Sequence, residues 1–131
     1  MVNIDVDDLG KAIEFYTTAL GLHLGRRLFE GSVAEMLGAT STIYLLSKLS
    51  GSAAVPTAAL LRDYKRHWTS VHLDFEVEDV SVAVERAVGA GARLEGEIRS
   101  FPWGYLATMS DPFGHGFCLL QFLGNGYDEV A

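Results

Sequence analysis

Apolar and polar positions along this chain change period several times, and each change marks an element. Val71, Leu73, Phe75 and Val77 alternate with His72, Asp74 and Glu76, the period of two that sends successive side chains of a strand to opposite faces. Leu9, Ala12, Ile13, Tyr16 and Leu20 recur instead at helical spacing, with Phe15 widening the stripe and Gly21 placed to stop it. A short strand over 2–6 precedes this helix, and Asp7 or Asp8 is available to cap its first free amides. Three strand-like runs follow, at 23–29, 32–37 and 42–48, parted by Glu30-Gly31 and Gly38. The order is strand, helix, three strands.

That order then repeats. Sliding the chain back by 71 positions, the distance from Asp8 to Asp79, lays His72 to Asp79 over Met1 to Asp8, and Val80, Ala83 and Val84 over Leu9, Ala12 and Ile13. The second copy predicts a strand over 69–77, a helix over 80–89 ended by Gly89 and Gly91, and strands at 93–99, 104–110 and 116–123. Asp111-Pro112-Phe113-Gly114 suits a type I turn, because Asp favours the first position, Pro sets the second and Gly the fourth. A Ser-, Gly-, Ala- and Pro-rich stretch through residue 57, then a polar piece, helical or irregular, to Trp68, forms the connector at 49–68. Residues 124–131 read as a flexible tail. The expectation is one domain over 1–123, with module one at 1–48 and module two at 69–123. Two like halves of this kind leave a cleft, and clefts bind small molecules.

Composition narrows the function classes. The 131 residues suffice to bury a core without disulfides or metal staples. Asp and Glu outnumber Lys and Arg by 17 to 10, for a net charge of −7, so a nucleic-acid backbone would be repelled by most of the surface. The one cysteine, Cys118, excludes an internal disulfide and paired-cysteine zinc motifs. No stretch approaches the ~20 apolar residues that span a bilayer, and the N-terminus has no basic segment followed by an apolar run. The sequence therefore predicts a soluble, cytoplasmic protein.

Val6-Asp7-Asp8-Leu9, Ala12, Phe15-Tyr16 and Leu20-Gly21 in the first copy, with Val77-Glu78-Asp79, Gly89-Ala90-Gly91, Trp103-Gly104 and Asp111-Pro112-Phe113-Gly114 in the second, resemble the vicinal oxygen chelate superfamily. That superfamily includes glyoxalases, bleomycin-resistance proteins and ring-cleaving dioxygenases. The resemblance implies an α+β fold of two βαβββ modules forming a curved eight-stranded mixed sheet around a cleft, and a homodimer. It also implies metal ligands on the first and last strands of each module, typically His or Gln, Glu, His and Glu. Those positions are Met1 and Tyr44 in module one, and His72 and Cys118 in module two. His72 is the only ligand retained, and a lone imidazole does not hold a divalent ion. The expectation is no metal cofactor, with a His72, Asp74 and Cys118 zinc site as the remaining possibility.

Without metal, the cleft is expected to be lined by Tyr44, Leu46, His72, Asp74, Cys118 and Leu120 through strand alternation, joined by Phe101, Trp103 and Tyr105. Each of the three aromatic residues could equally complete the core. An apolar, aromatic slot with a few polar groups suits a flat organic compound or drug, and sequestration of such a molecule, as in antibiotic resistance, is the function expected. Two alternatives stay open: a metal-dependent lyase or dioxygenase, and a metal-free isomerase-like enzyme with His72 and Asp74 as the catalytic pair. His23, His67 and His115 read as surface or turn residues. Arg62, Lys65 and Arg66 read as one solvated face or as a basic lid.

Overall fold

A computed structural model describes residues 1–57, 59–67 and 69–131. Ala58 and Trp68, both in the expected connector, lie outside the described residues. Internal contacts divide the chain into two units, Met1–Lys65 and Arg66–Ala131. The boundary falls inside the predicted connector.

The first unit runs β1 (Val2–Val6), α1 (Leu9–Leu20), β2 (His23–Leu28), β3 (Val33–Leu37) and β4 (Ile43–Ser47). Its strands form one sheet in the order β1-β4-β3-β2, with β1 parallel to β4 and the other pairs antiparallel. Asp8 caps α1 by accepting a hydrogen bond from the Lys11 amide at 2.9 Å. Gly21 ends it in the left-handed conformation (φ 68°) that favours glycine. The apolar stripe of α1 buries Ala12, Phe15 and Tyr16 against the sheet face carrying Ala34, Met36, Ile43 and Leu45, all nearly inaccessible. Burial of this kind contributes about 25 cal/mol per Å² of apolar surface.

The second unit repeats the plan: β5 (Leu73–Glu76), α2 (Val80–Gly89), β6 (Arg93–Leu94), β7 (Arg99–Phe101), β8 (Gly104–Ser110) and β9 (Gly116–Phe122). Its sheet runs β5-β9-β8-β6, with β7 also paired to β8. The first and last strands are again parallel, Phe75 opposite Leu119 as Ile4 is opposite Leu45. Asp79 accepts from the Val82 amide at 3.0 Å, so the caps of both helices keep the sequence offset of the repeat. Val80, Ala83, Val84 and Ala87 of α2 are buried, as are Ala107, Met109 and Leu119 on the strands it packs against.

Four expectations are corrected. The strand expected over 69–77 begins at Leu73. The strand expected over 93–99 breaks into β6 and β7, with Gly96 between them at φ 98°. The described residues of the polar piece before Trp68 are not helical; an isolated bridge pairs Ala53 with Leu61. The tail folds as a 3-10 helix over Gly126–Val130, because Tyr127 packs on Trp103 and Phe122 at centroid distances of 5.2 and 4.8 Å. The turn at Asp111 is as predicted, closed by the Gly114 amide donating to the Asp111 carbonyl, while the Asp111 carboxylate accepts from the Phe113 and His115 amides at 2.8 and 2.9 Å. Among the described residues, no helix is long and apolar enough to cross a membrane.

Candidate functional site

The pleat decides which side chains of each sheet meet the helix and which face away. In the first unit the central row away from the helix is Asn3, Tyr44 and Glu35, in register on β1, β4 and β3. Next to it, β2 carries a bulge: Leu24 pairs with Met36 and Arg27 with Ala34, leaving Gly25 and Arg26 opposite Glu35. Gly25 leaves room for this arrangement, since a Cβ would come within 2.9 Å of a Glu35 carboxylate oxygen and of the end of the Leu37 side chain, and those side chains would have to shift. The Arg26 guanidinium grips Glu35 through two bonds of 2.8 and 2.6 Å, and the Tyr44 hydroxyl donates to the same carboxylate at 3.2 Å. The Arg26 hydrogen bonds hold the Glu35 carboxyl below its ordinary range, against the opposing effect of burial. This row is closed by its own ion pair.

The equivalent row of the second unit is Asp74, Cys118 and Thr108, in register on β5, β9 and β8. Among the described residues no arginine–carboxylate pair fills it. Two residues along β8, Leu106 stands opposite Leu120 on one side and Arg99 of β7 on the other. A cavity of about 430 Å³ opens over this face, lined by Arg66, Thr69, His72, Arg99, Leu106, Thr108, Gly116, Phe117 and Cys118. The His72 imidazole Nε2 lies 3.3 Å from the Asp74 carboxylate. Burial pushes the Cys118 thiol up, Asp74 adds to the shift, and the Thr108 hydrogen bond and the Arg99 charge only partly offset it. Cys118 is therefore a neutral thiol at physiological pH and a poor nucleophile.

The two arginines of the lining differ. Arg66 is bound to both oxygens of Glu95 and to the His67 carbonyl, and it lies over Gly116, where a Cβ would meet it at 3.0 Å. Arg99 sits over the Phe101 ring, 5.5 Å from the centroid, and among the described residues no carboxylate pairs with it.

Of the residues expected to line a cleft, His72 and Cys118 do so here, Asp74 contacts His72, and Leu120 shares their sheet face. Tyr105 alternates with Leu106 and points to the opposite face. Phe101 and Trp103 stack on each other in parallel, centroids 4.8 Å apart and planes 4° apart, and Phe122 and Tyr127 complete that cluster. Tyr44 and Leu46 belong to β4 of the first unit. Of the isolated histidines, His23 is exposed on β2, and the His67 and His115 rings meet edge to face at 6.3 Å. Within the basic trio, Arg62 pairs with Asp5 at 2.7 Å in the first unit, and Arg66 with Glu95 in the second. Thr69, Arg99, Leu106, Thr108 and the Arg26–Glu35 pair went unread in the sequence. Leu106 and Thr108 were accessible in principle from the parity of β8, whereas Arg99 depends on cross-strand register.

The metal implied by the resemblance does not fit its four positions. Met1 is a thioether 87% exposed, Tyr44 commits its proton to Glu35, and Cys118 is held neutral, which leaves the imidazole of His72. Within the second unit, His72, Asp74 and Cys118 each offer one ligand atom, all within 4.8 Å of one another. Tetrahedral zinc, with bonds of about 2.0–2.3 Å, needs neighbouring donors roughly 3.3–3.8 Å apart and a thiolate. This trio would have to contract and lose the Cys118 proton that burial and Asp74 retain.

Comparison with known proteins agrees with this architecture. Residues 1–120 match the family model of the glyoxalase-like domain. The chain is 30% identical over 135 residues to the anthracycline biosynthesis protein DauV of Streptomyces sp. (strain C5), and 28% identical over 132 residues to the anthracycline biosynthesis protein DnrV of Streptomyces peucetius. In each case 99% of the chain aligns, but it spans only 43% of the relative's length. Among solved structures, the fosfomycin resistance protein FosX of Listeria monocytogenes superposes with a TM-score of 0.71 at 19% identity, covering 98% of this chain and 92% of that one. The fold is that of glyoxalase and bleomycin resistance proteins.

Proposed function

The chain belongs to the glyoxalase-like domain family, and from that premise we propose that it is a small-molecule-binding protein which holds a flat organic compound, without a metal, in the cavity of its second unit. The observation that carries this reading is the cavity itself. Its volume of about 430 Å³ lies within the roughly 300–1,000 Å³ typical of ligand sites. Leu106 offers apolar surface, and Thr69, Thr108 and His72 offer a few hydrogen-bonding groups that fix orientation. Relatives named for anthracycline biosynthesis support a flat guest, because anthracyclines are built on fused planar rings. A drug held in this way is withdrawn from its target, which is the chemistry of self-resistance by sequestration.

The lining also speaks against covalent chemistry. Cys118 is the only nucleophilic thiol of the chain, and its environment favours the protonated form. The donor set does not suit a hard divalent cation, so no step is assigned to one. A second reading, metal-free proton transfer, rests on the 3.3 Å contact between His72 and Asp74. Asp74→Asn separates the two: it abolishes turnover if the pair is catalytic and leaves most of the contact area for binding.

The direct test is calorimetric titration with tricyclic planar probes of the anthraquinone type, against a bulky non-planar compound of similar hydrophobicity. Saturable one-to-one binding of the planar probes, weakened at least tenfold by Leu106→Trp, supports the reading. Absence of saturable binding across the planar set overturns it.

A further inference from the structure

We infer that the ligand of this cavity carries a carboxylate, and that Arg99 reads it. The inference rests on the binding function proposed above and names the chemical class of the guest. Asp and Glu outnumber Lys and Arg by 17 to 10 over the whole chain, yet the cavity is lined by two guanidiniums, an imidazole and two hydroxyls, with no carboxylate among its lining residues. A reversal of sign at a concave site concentrates oppositely charged ligands there.

The state of each cation decides how much negative charge the site accepts. Arg66 is neutralised by its two bonds to Glu95. Arg99 has no such partner among the described residues, and its guanidinium is oriented by the Phe101 ring beneath it. One uncompensated guanidinium matches one negative charge, and its planar fork matches a carboxylate through two parallel hydrogen bonds.

Position strengthens the assignment. Arg99 stands across from Leu106, and Leu106 from Leu120, so apolar surface begins directly beside the guanidinium. The carboxylates of Asp74 and Glu76 share this face, Glu76 in the register row of Leu120, Leu106 and Arg99, but both lie on β5, three strand spacings from β7, about 14 Å across the sheet. Asp74 is also occupied by His72. A flat molecule laid across β8 and β9 thus meets a cation at one end, Leu106 and Cys118 under its rings, and the His72–Asp74 pair at the far side. Thr108, beside Cys118 in register, offers a hydroxyl between them.

The test compares two probes of nearly equal shape, anthraquinone-2-carboxylate and 2-(hydroxymethyl)anthraquinone, titrated into the full chain at low and high salt, and then into Arg99→Gln and Arg99→Lys. The carboxylate is expected to bind at least tenfold more tightly than the alcohol at low salt, with the preference shrinking as salt rises. In Arg99→Gln the ratio of the two affinities falls to near one, and in Arg99→Lys part of it returns; circular dichroism and melting temperature verify that both variants fold. Equal affinities for the two probes in the parent chain, or an unchanged ratio in Arg99→Gln, overturn the assignment while leaving the binding function intact. If neither probe binds, the binding function falls and the assignment falls with it.

Discussion

Replacing Gly104 by alanine tests how the wall of the cavity is built. Gly104 opens β8 at φ 152°, directly after the two-residue connection that joins it to β7 and Arg99. A Cβ there would stand 2.0 Å from the Gln121 carbonyl oxygen and 3.0 Å from its carbon, both backbone atoms of β9. No rotamer change relieves a clash with backbone, so β8 and β9 must part by more than 1 Å. That displacement weakens the Gly104–Phe122 pairing and the bond from the Leu123 amide to the Trp103 carbonyl, each worth about 0.5–1.5 kcal/mol. The dihedral, essentially restricted to glycine, adds about 1–3 kcal/mol. The sum is roughly 3–5 kcal/mol, a large share of the ~5–15 kcal/mol that stabilises a typical domain. Urea unfolding measures it: with an m-value of about 1–3 kcal/mol per molar, the midpoint should fall by at least ~1 M. Gly89→Ala is the matched control, since a Cβ at that helical position meets nothing within 4 Å. It should stabilise by up to ~1 kcal/mol. A Gly104→Ala variant within 1 kcal/mol of the parent would refute the reasoning.

Other consequences are open to direct measurement. Cys118, buried and pushed up in pKa by burial and by Asp74, should react with iodoacetamide far more slowly than a free thiol at pH 8; labelling at the free-thiol rate would contradict the assignment of a neutral, enclosed sulfur. Asp8→Ala and Asp79→Ala each remove a helix cap and should each cost about 1 kcal/mol, with Asn at either site restoring most of it; equal loss in the Asn variants would show that capping is not the cause. Glu35 and Glu95 are held below their ordinary value of 4.5 by Arg26 and Arg66. Their contribution to stability is therefore complete above about that pH and disappears as pH falls through their lower folded values. Melting temperature should decline below pH 4.5, with a shallower acid limb in Glu35→Gln, and an identical limb would count against the pair. Dialysis against a chelator should leave the affinity for planar probes unchanged within twofold; a tenfold loss would restore a metal to the site.

Elements set by local chemistry were legible in the sequence. The caps at Asp8 and Asp79, the left-handed stop at Gly21 and the Asp111 turn depend on residues three or four apart, and the repeat offset between the two copies predicted that both helices would start alike. The alternation from Val71 to Val77 likewise gave the faces of β5, with His72 and Asp74 on one side. Register was not legible. Nothing near Arg99 in the chain reveals that β7 places it beside Leu106, and nothing near Glu35 reveals the bulge that brings Arg26 onto it. For Trp103 and Phe101 the sequence left a ligand platform and a packing role equally open, and the structure stacks them on each other with Phe122 and Tyr127 around them.

The central claim is that the sheet face bearing Leu106, Thr108 and Cys118 receives a planar guest. Backbone amide spectra recorded while anthraquinone-2-carboxylate is added to the isotope-labelled chain test it most directly. The account predicts saturable shifts concentrated at Thr69, His72, Arg99, Leu106, Thr108 and Gly116 to Cys118. Saturable shifts centred elsewhere, or a spectrum unmoved at millimolar probe, would contradict it.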